Sequence, residues 1–207
     1  MSSMRSSLPE VLFLDACVLY PAQTRDLFMR LALAGLVRLK WTARVQEEWI
    51  ENLLRKNLHL SPEQKERLKK IPQVMEKHLE FQAPLVTGYE GLMERVELKD
   101  PDDHHVVAAA FWGGAEAILT FNLKDFPQEA LEPWELVALH PDDYLVDLAG
   151  ALIEGNFLPE PLLEVLAEQR LQLKNPPLTV DGFLHQLRRV GLENFAALLA
   201  AYRGHLQ

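Results

Sequence analysis

Asp15 directly follows the apolar run Val11-Leu12-Phe13-Leu14, and Asn122 and Asp125 follow the run that finishes at Thr120. Asp100, Asp102 and Asp103 form a loop entering an alanine-rich stretch, and Glu48 lies on the amphipathic stretch between these segments. Ligands of parallel α/β sheets sit beyond the carboxyl ends of the strands, so these segments are placed to bring their acids together. Two unit charges ~4 Å apart repel by about 4 kcal/mol at an effective dielectric near 20. A group of three or four carboxylates tolerates that only with protons or a cation present. Oxygen ligands without cysteine suit Mg2+ or Mn2+, and such a cation activates water and neutralises charge developing on a phosphate. The same residues have a plainer reading. An Asp after a strand is commonly a turn residue, and Asp100 to Asp103 fit an Asx turn followed by a helix N-cap. Residue types alone leave both readings open.

Other candidates are weaker. His104 and His105 are adjacent, and neighbours on a helix point about 100° apart, which favours packing or capping over shared metal binding. Arg55, Lys56, Lys65, Arg67, Lys69 and Lys70 are the main basic concentration, interrupted by Glu63 and Glu66. They read either as a solvated helix face or as contacts to a phosphate backbone. Arg25 and Lys124 lie nearer the acids and are candidates to hold phosphates. Cys17 is the only cysteine, which excludes an internal disulfide and a cysteine-based zinc site.

The elements that must position these residues follow from periodicity. Val11 to Leu14 suits a buried parallel strand. Arg25 to Leu36 is a helix closed by Gly35, and Val37, Leu39 and Trp41 alternate as a half-buried strand. A helix from Ala43 to Leu54 carries Val45, Trp49 and Leu53 on one stripe with Glu48 beside it. Ser61, Pro62 and Gln64 make a capping box, predicting a helix to about Phe81. Residues 85–98 are irregular, with Val96-Glu97-Leu98 a candidate short strand. Asp103 to Trp112 is a tightly packed helix ended by Gly113-Gly114, Ala117 to Thr120 the next buried strand, and Glu135 to Leu139 one more. Pro141-Asp142-Asp143 opens a helix with acids at its positive end.

Alternating strands and helices predict an α/β fold on a parallel sheet. From Pro159 to Gln207 the pattern gives three helices and no strand, with a break at Asn175-Pro176-Pro177. This divides the chain into a domain over 1–158 and an all-α extension over 159–207. The extension is too short to be stable alone and is expected to pack on the first domain. The turn Val190-Gly191-Leu192 hints at a helix-turn-helix used for protein contact or core. The polar residues 1–9 are expected to fray.

Acidic residues number 30 against 21 Lys plus Arg, a formal charge of -9. The extension holds five of each sign, so the whole surplus lies in residues 1–158. A nucleic-acid binder relying on overall positive charge is therefore disfavoured, and nucleic-acid chemistry would need a cation or a local basic patch. With 48% hydrophobic and 25% charged residues, the chain is an ordinary globular one. No leader and no apolar run near the length of a membrane span is visible, so a cytoplasmic location without a membrane partner is expected.

The strings VLFLDACVLYP, WTARVQEEWIENLL and DPDDHHVVAAAFWGGAEAILTFNLKDFP resemble the PIN-domain nuclease family, and within it the branch of VapC-type toxins. The resemblance covers about residues 10–140 and implies a PIN-like central parallel sheet flanked by helices, with the C-terminal helices resembling an extension in some members. It also implies a Mg2+ or Mn2+ site of three or four acids that cleaves RNA. Residue by residue, the family's acids match Asp15, Glu48 (with Glu47 a weaker candidate, because the two face different sides of the helix) and Asp103. The fourth position holds Asn122 where Asp is more common, and Asp125 is the substitute. Cys17 stands where a Ser, Thr or Asn often supports the first acid, which weakens a hydrogen-bond donor.

The function this implies is a metal-dependent endoribonuclease with RNA as substrate, the toxin of a toxin-antitoxin pair with a small antitoxin protein as partner; a homodimer is admitted. A catalytically weakened PIN domain with a binding or regulatory role and a housekeeping PIN nuclease are the alternatives. Haloacid-dehalogenase-type phosphatases also begin with a strand and an Asp, but they need a second Asp where Cys17 stands.

Overall fold

The computed structural model of the chain describes residues 8–153, 160–174 and 177–207. Strand β1 (Val11–Leu14) leads into the one-turn helix α1 (Ala16–Leu19) and then α2 (Ala22–Leu33). Strand β2 (Arg38–Lys40) is followed by α3 (Ala43–Lys56), α4 (Pro62–Lys69) and α5 (Ile71–His78). Next come α6 (His104–Trp112), β3 (Ala117–Leu119), the short α7 (Gln128–Leu131) and β4 (Val137–Leu139). Helices α8 (Pro141–Leu152), α9 (Glu160–Gln172), α10 (Val180–Arg189) and α11 (Glu193–Leu199) close the chain.

The four strands form one parallel sheet in the order β2-β1-β3-β4. β1 is buried along its whole length because strands flank it on both sides, which is why it reads as a continuous apolar run. Its register pairs Leu14 with Leu119, and Asp15 N–H continues the ladder to the Leu119 carbonyl at 3.1 Å. Asp15 and Thr120 therefore leave the sheet side by side. The fold is the predicted α/β arrangement, a central parallel sheet flanked by helices with further helices at the C-terminus.

Several elements differ from the sequence reading. The helix expected from Pro62 to Phe81 is two helices meeting at Lys70, because Pro72 has no N–H to donate back to Leu68. Its capping box forms as predicted. Val96 to Leu98 is not a strand; a 3-10 helix, Glu90–Arg95, precedes it. The extended pairing of this region is instead a parallel bridge from Trp41 to Leu85. Glu135 takes a left-handed φ of 54° after the 3-10 helix Glu132–Trp134, so β4 starts only at Val137. The expected start at Pro159, the break at Asn175-Pro176 and residues 1–7 of the expected frayed terminus lie outside the described residues.

Helix α9 packs along α2, and α11 along α8. Gln169 Nε2 donates to the Gln23 carbonyl at 2.8 Å, and Arg30 pairs with Glu168 at 3.3 Å. Leu162, Leu166, Phe183, Leu187 and Phe195 join the same core as Leu12, Phe28 and Trp49. The helical extension thus completes its core against the sheet domain. Among the described residues, no helix is long and apolar enough to cross a membrane.

Candidate active site

A cleft at the carboxyl ends of β1 and β3 is lined by Asp15, Glu48, Asp102, Asp103, Asn122 and Asp125, with Arg44, Arg55 and Lys56 on the same wall. Asp15 is delivered by the end of β1 and is the N-cap of α1, its Oδ1 accepting the Ala16 N–H at 2.6 Å. Its Oδ2 accepts from Thr120 Oγ1 at 2.7 Å and from Cys17 Sγ at 3.0 Å. Thr120 is fully buried and sits opposite only because of the β1–β3 register. The sequence marks Thr120 only as a strand end, with Cys17 at the position of the supporting donor. The stronger O–H donor comes from the neighbouring strand. Burial, and then the Asp15 charge and hydrogen bond, push the Cys17 thiol up to about 12. It is therefore a protonated donor at neutral pH.

Glu48 stands on the face of α3 turned to the cleft, whereas Glu47 is exposed and does not line it. Arg44 Nε, one turn earlier, donates to Glu48 Oε1 at 3.1 Å, and His105 Nε2 approaches the same oxygen at 3.1 Å. Burial works against ionising Glu48, but the hydrogen bonds and charges of His105 and Arg44 outweigh it and hold the carboxyl below its usual value. His105 is itself buried, with Nδ1 lacking a hydrogen-bond partner among the described residues. His104 Nε2 lies 3.3 Å from the Leu98 carbonyl. The two histidines thus meet different partners.

The acidic loop divides between the two readings that its sequence allowed. Asp100 makes the Asx turn, accepting the Asp102 N–H at 3.0 Å. Asp103 occupies the N-cap position of α6 but makes no side-chain capping bond. Its carboxyl is pushed up to about 6, by burial first and then by Asp15, Asp100 and Asp125, with His105 opposing. Asp125 comes from the 3-10 helix Leu123–Asp125, and the Asn122 N–H before it donates to Thr120 Oγ1 at 3.0 Å. The acids share a cleft without being gathered on one point. Among the described residues, no three or more His, Cys, Asp or Glu side chains stand ready to hold a metal ion.

Two expected phosphate contacts are elsewhere. The Arg25 guanidinium lies 4.4 Å over the Trp49 ring and donates to the carbonyls of Leu19 and Tyr20. Burial pushes it down to about 10, and it does not line the cleft. Lys124 is exposed outside the cleft lining. Arg55 and Lys56 line the cleft instead, Lys56 Nζ lying 4.9 Å from the centroid of Tyr20. Lys65, Arg67, Lys69 and Lys70 do not line it, and Arg67 and Lys69 pair with Glu63 and Glu66. Sequence reasoning missed Arg44, although its i,i+4 spacing to Glu48 was a visible signal.

The PIN domain profile matches residues 11–124, from β1 through Asn122. The chain belongs to the PIN-domain family. The match takes in Asp15, Glu48, Asp103 and Asn122 of this PIN domain and stops one residue before Asp125. A second profile, the VapC50 C-terminal domain, matches residues 141–201, which is α8 together with the C-terminal helices. The chain is also 43% identical over 82 residues to "Putative ribonuclease VapC50" of Mycobacterium tuberculosis. That stretch covers 32% of this chain and 48% of the relative, about half its length. The PIN domain described here is thus VapC-like and carries the C-terminal helices of that branch. No solved structure matches.

Proposed function

We propose that this VapC-like PIN protein is a metal-dependent endoribonuclease, the toxin of a toxin-antitoxin pair with a small antitoxin protein as partner. The supporting observation is electrostatic. Carboxylates from separate segments line one cleft, and burial first, then the charges of Asp15, Asp100 and Asp125, push the Asp103 carboxyl up to about 6. Perturbed carboxyls in a cleft are the arrangement that active sites use. Asp15, Glu48, Asp103 and Asp125 would hold Mg2+ or Mn2+, with Asn122 as a neutral fourth-segment group. The donor set is oxygen only, because the Cys17 thiol is protonated and committed to Asp15, and that fits a hard cation. When bound, the metal supplies water activation and stabilisation of charge on the phosphate.

The chain's own residues account for the rest. Three donors engage the Asp15 carboxylate, and Arg44 with His105 engages Oε1 of Glu48, with Oε2 unbonded among the described residues. Arg44, Arg55 and Lys56 form a cationic rim against which a phosphodiester can lie beside the acids. That local patch counters the long-range repulsion between RNA and a chain of charge -9. Thr120 weighs against the reading of a catalytically weakened binding protein, since it supplies the support that Cys17 gives only weakly. The division into a nuclease domain over 1–158 and an extension over 159–207 belongs to this proposal, with α8 as the helix that joins them, and so does a cytoplasmic location.

Cleavage of RNA by the purified chain with Mn2+ or Mg2+, and its loss in EDTA, is the direct test. Cleavage that continues in EDTA, or none with any divalent ion, sinks the proposal.

A further inference from the structure

The C-terminal helices reach the acidic cleft through one aromatic ring. Phe121 stands between Thr120 and Asn122, and its backbone N–H donates to Cys17 Sγ at 3.2 Å, the sulfur that in turn donates to Asp15. Its ring faces the other way. Gly191, in the turn between α10 and α11, takes φ +86° and comes so close that a Cβ there would stand 3.2 Å from Phe121 Cε1. The ring also packs edge-on against His140, centroids 5.1 Å apart at 78°. His140 caps α8 by accepting the Asp142 N–H at 3.2 Å. Asp142 accepts the N–H groups of Asn194 and Phe195 at 2.9 and 2.8 Å, tying the start of α11 to α8. The turn that carries Gly191 is therefore anchored beside the ring.

We propose that Phe121 is a positioning residue through which the C-terminal helices hold the Thr120–Asn122 turn, and with it the Asp15 carboxylate, in place in the cleft. The ring is held between the Gly191 turn of the C-terminal helices and His140 at the start of α8, and the backbone of the same residue bonds to the site. Packing that served stability alone would tie the two units together without reaching Asp15. The proposal rests on the nuclease reading only for the use made of Asp15.

The test is amide hydrogen exchange on the full chain for Phe121→Leu, which removes part of the ring's contact, and Gly191→Ala, whose Cβ crowds the ring and strains the turn, so that both disturb the contact from opposite sides. Met75→Ala, in the buried face of α5, is the control for general destabilisation. Three amides report: Phe121 (bonded to Cys17), Asn122 (bonded to Thr120) and Ala16 (bonded to Asp15 Oδ1). All three should exchange about tenfold faster in both contact variants and not in the control. Mn2+ affinity, read by calorimetry, should fall on the order of tenfold. Faster exchange confined to the α10–α11 turn would overturn the proposal. So would equal acceleration in Met75→Ala, or unchanged Mn2+ affinity in a parent that binds Mn2+. A parent that binds no Mn2+ refutes the metal reading, while the exchange data still decide the role of Phe121.

Discussion

Thr120 Oγ1 donates to Asp15 Oδ2 at 2.7 Å across a separation of 105 residues. The bond exists because β1 and β3 are neighbours in register, with Leu14 paired to Leu119. Thr120→Val keeps the shape and removes the donor. A hydrogen bond to an ionised group is worth about 1.5–3 kcal/mol, so urea denaturation should show a loss of that order. Mn2+ binding should weaken with it. A variant as stable as the parent, with unaltered Mn2+ binding, would show that Asp15 needs only Ala16 and Cys17.

Asp103 sets a pH dependence with a definite sign. Its folded value is raised from 3.8 to about 6, so the folded state binds the extra proton between those limits. In the metal-free protein, its contribution should make stability fall as pH rises from about 4 to about 6. Screening at this part-exposed carboxyl reduces the penalty to on the order of 1–2 kcal/mol. Asp103→Asn should remove that contribution and melt higher than the parent at pH 7 in EDTA. Mg2+ should raise the parent's melting temperature by mass action and the variant's much less. Thermal melts from pH 4 to 8 check all three, and a variant that melts lower throughout would return Asp103 to a purely structural role.

Glu48 acts in the opposite direction. Although burial opposes its ionisation, His105 and Arg44 hold its carboxyl below the ordinary value. Its contribution is present above the unfolded value of 4.5 and is lost as pH falls through the lower folded one. His105→Leu removes one donor and should cost on the order of 1–3 kcal/mol at pH 7, with less difference from the parent at pH 3. Equilibrium denaturation at the two pH values measures it; a cost equal at both would show that His105 contributes packing alone.

The basic residues should separate by position rather than by charge. Arg55→Ala and Lys56→Ala, in the cleft wall, should each weaken RNA binding and reduce the salt slope by about 1. Replacing Lys65, Arg67, Lys69 and Lys70 together should leave that slope nearly unchanged, because none of them lines the cleft. Binding titrations at several salt concentrations distinguish the two groups, and the reverse ranking would move the RNA path onto α4.

What the sequence by itself determined was local. The apolar run Val11 to Leu14 forced a buried strand ending in Asp15, and Ser61 with Gln64 built its capping box. That Glu48 and Glu47 face different sides of one helix followed from the turn of about 100° per residue. These outcomes depend on residues within a turn or two of one another, so periodicity and capping chemistry expose them. What the tertiary structure decided was which distant groups meet. Strand register set Thr120 against Asp15. The placing of α2 beside α3 set the Arg25 guanidinium over the Trp49 ring, outside the cleft lining. The first turn of α6 brought His105 to Glu48, and the α10–α11 turn set Gly191 against Phe121. Each of these pairings is a consequence of how whole elements stack, and no spacing along the chain encodes it.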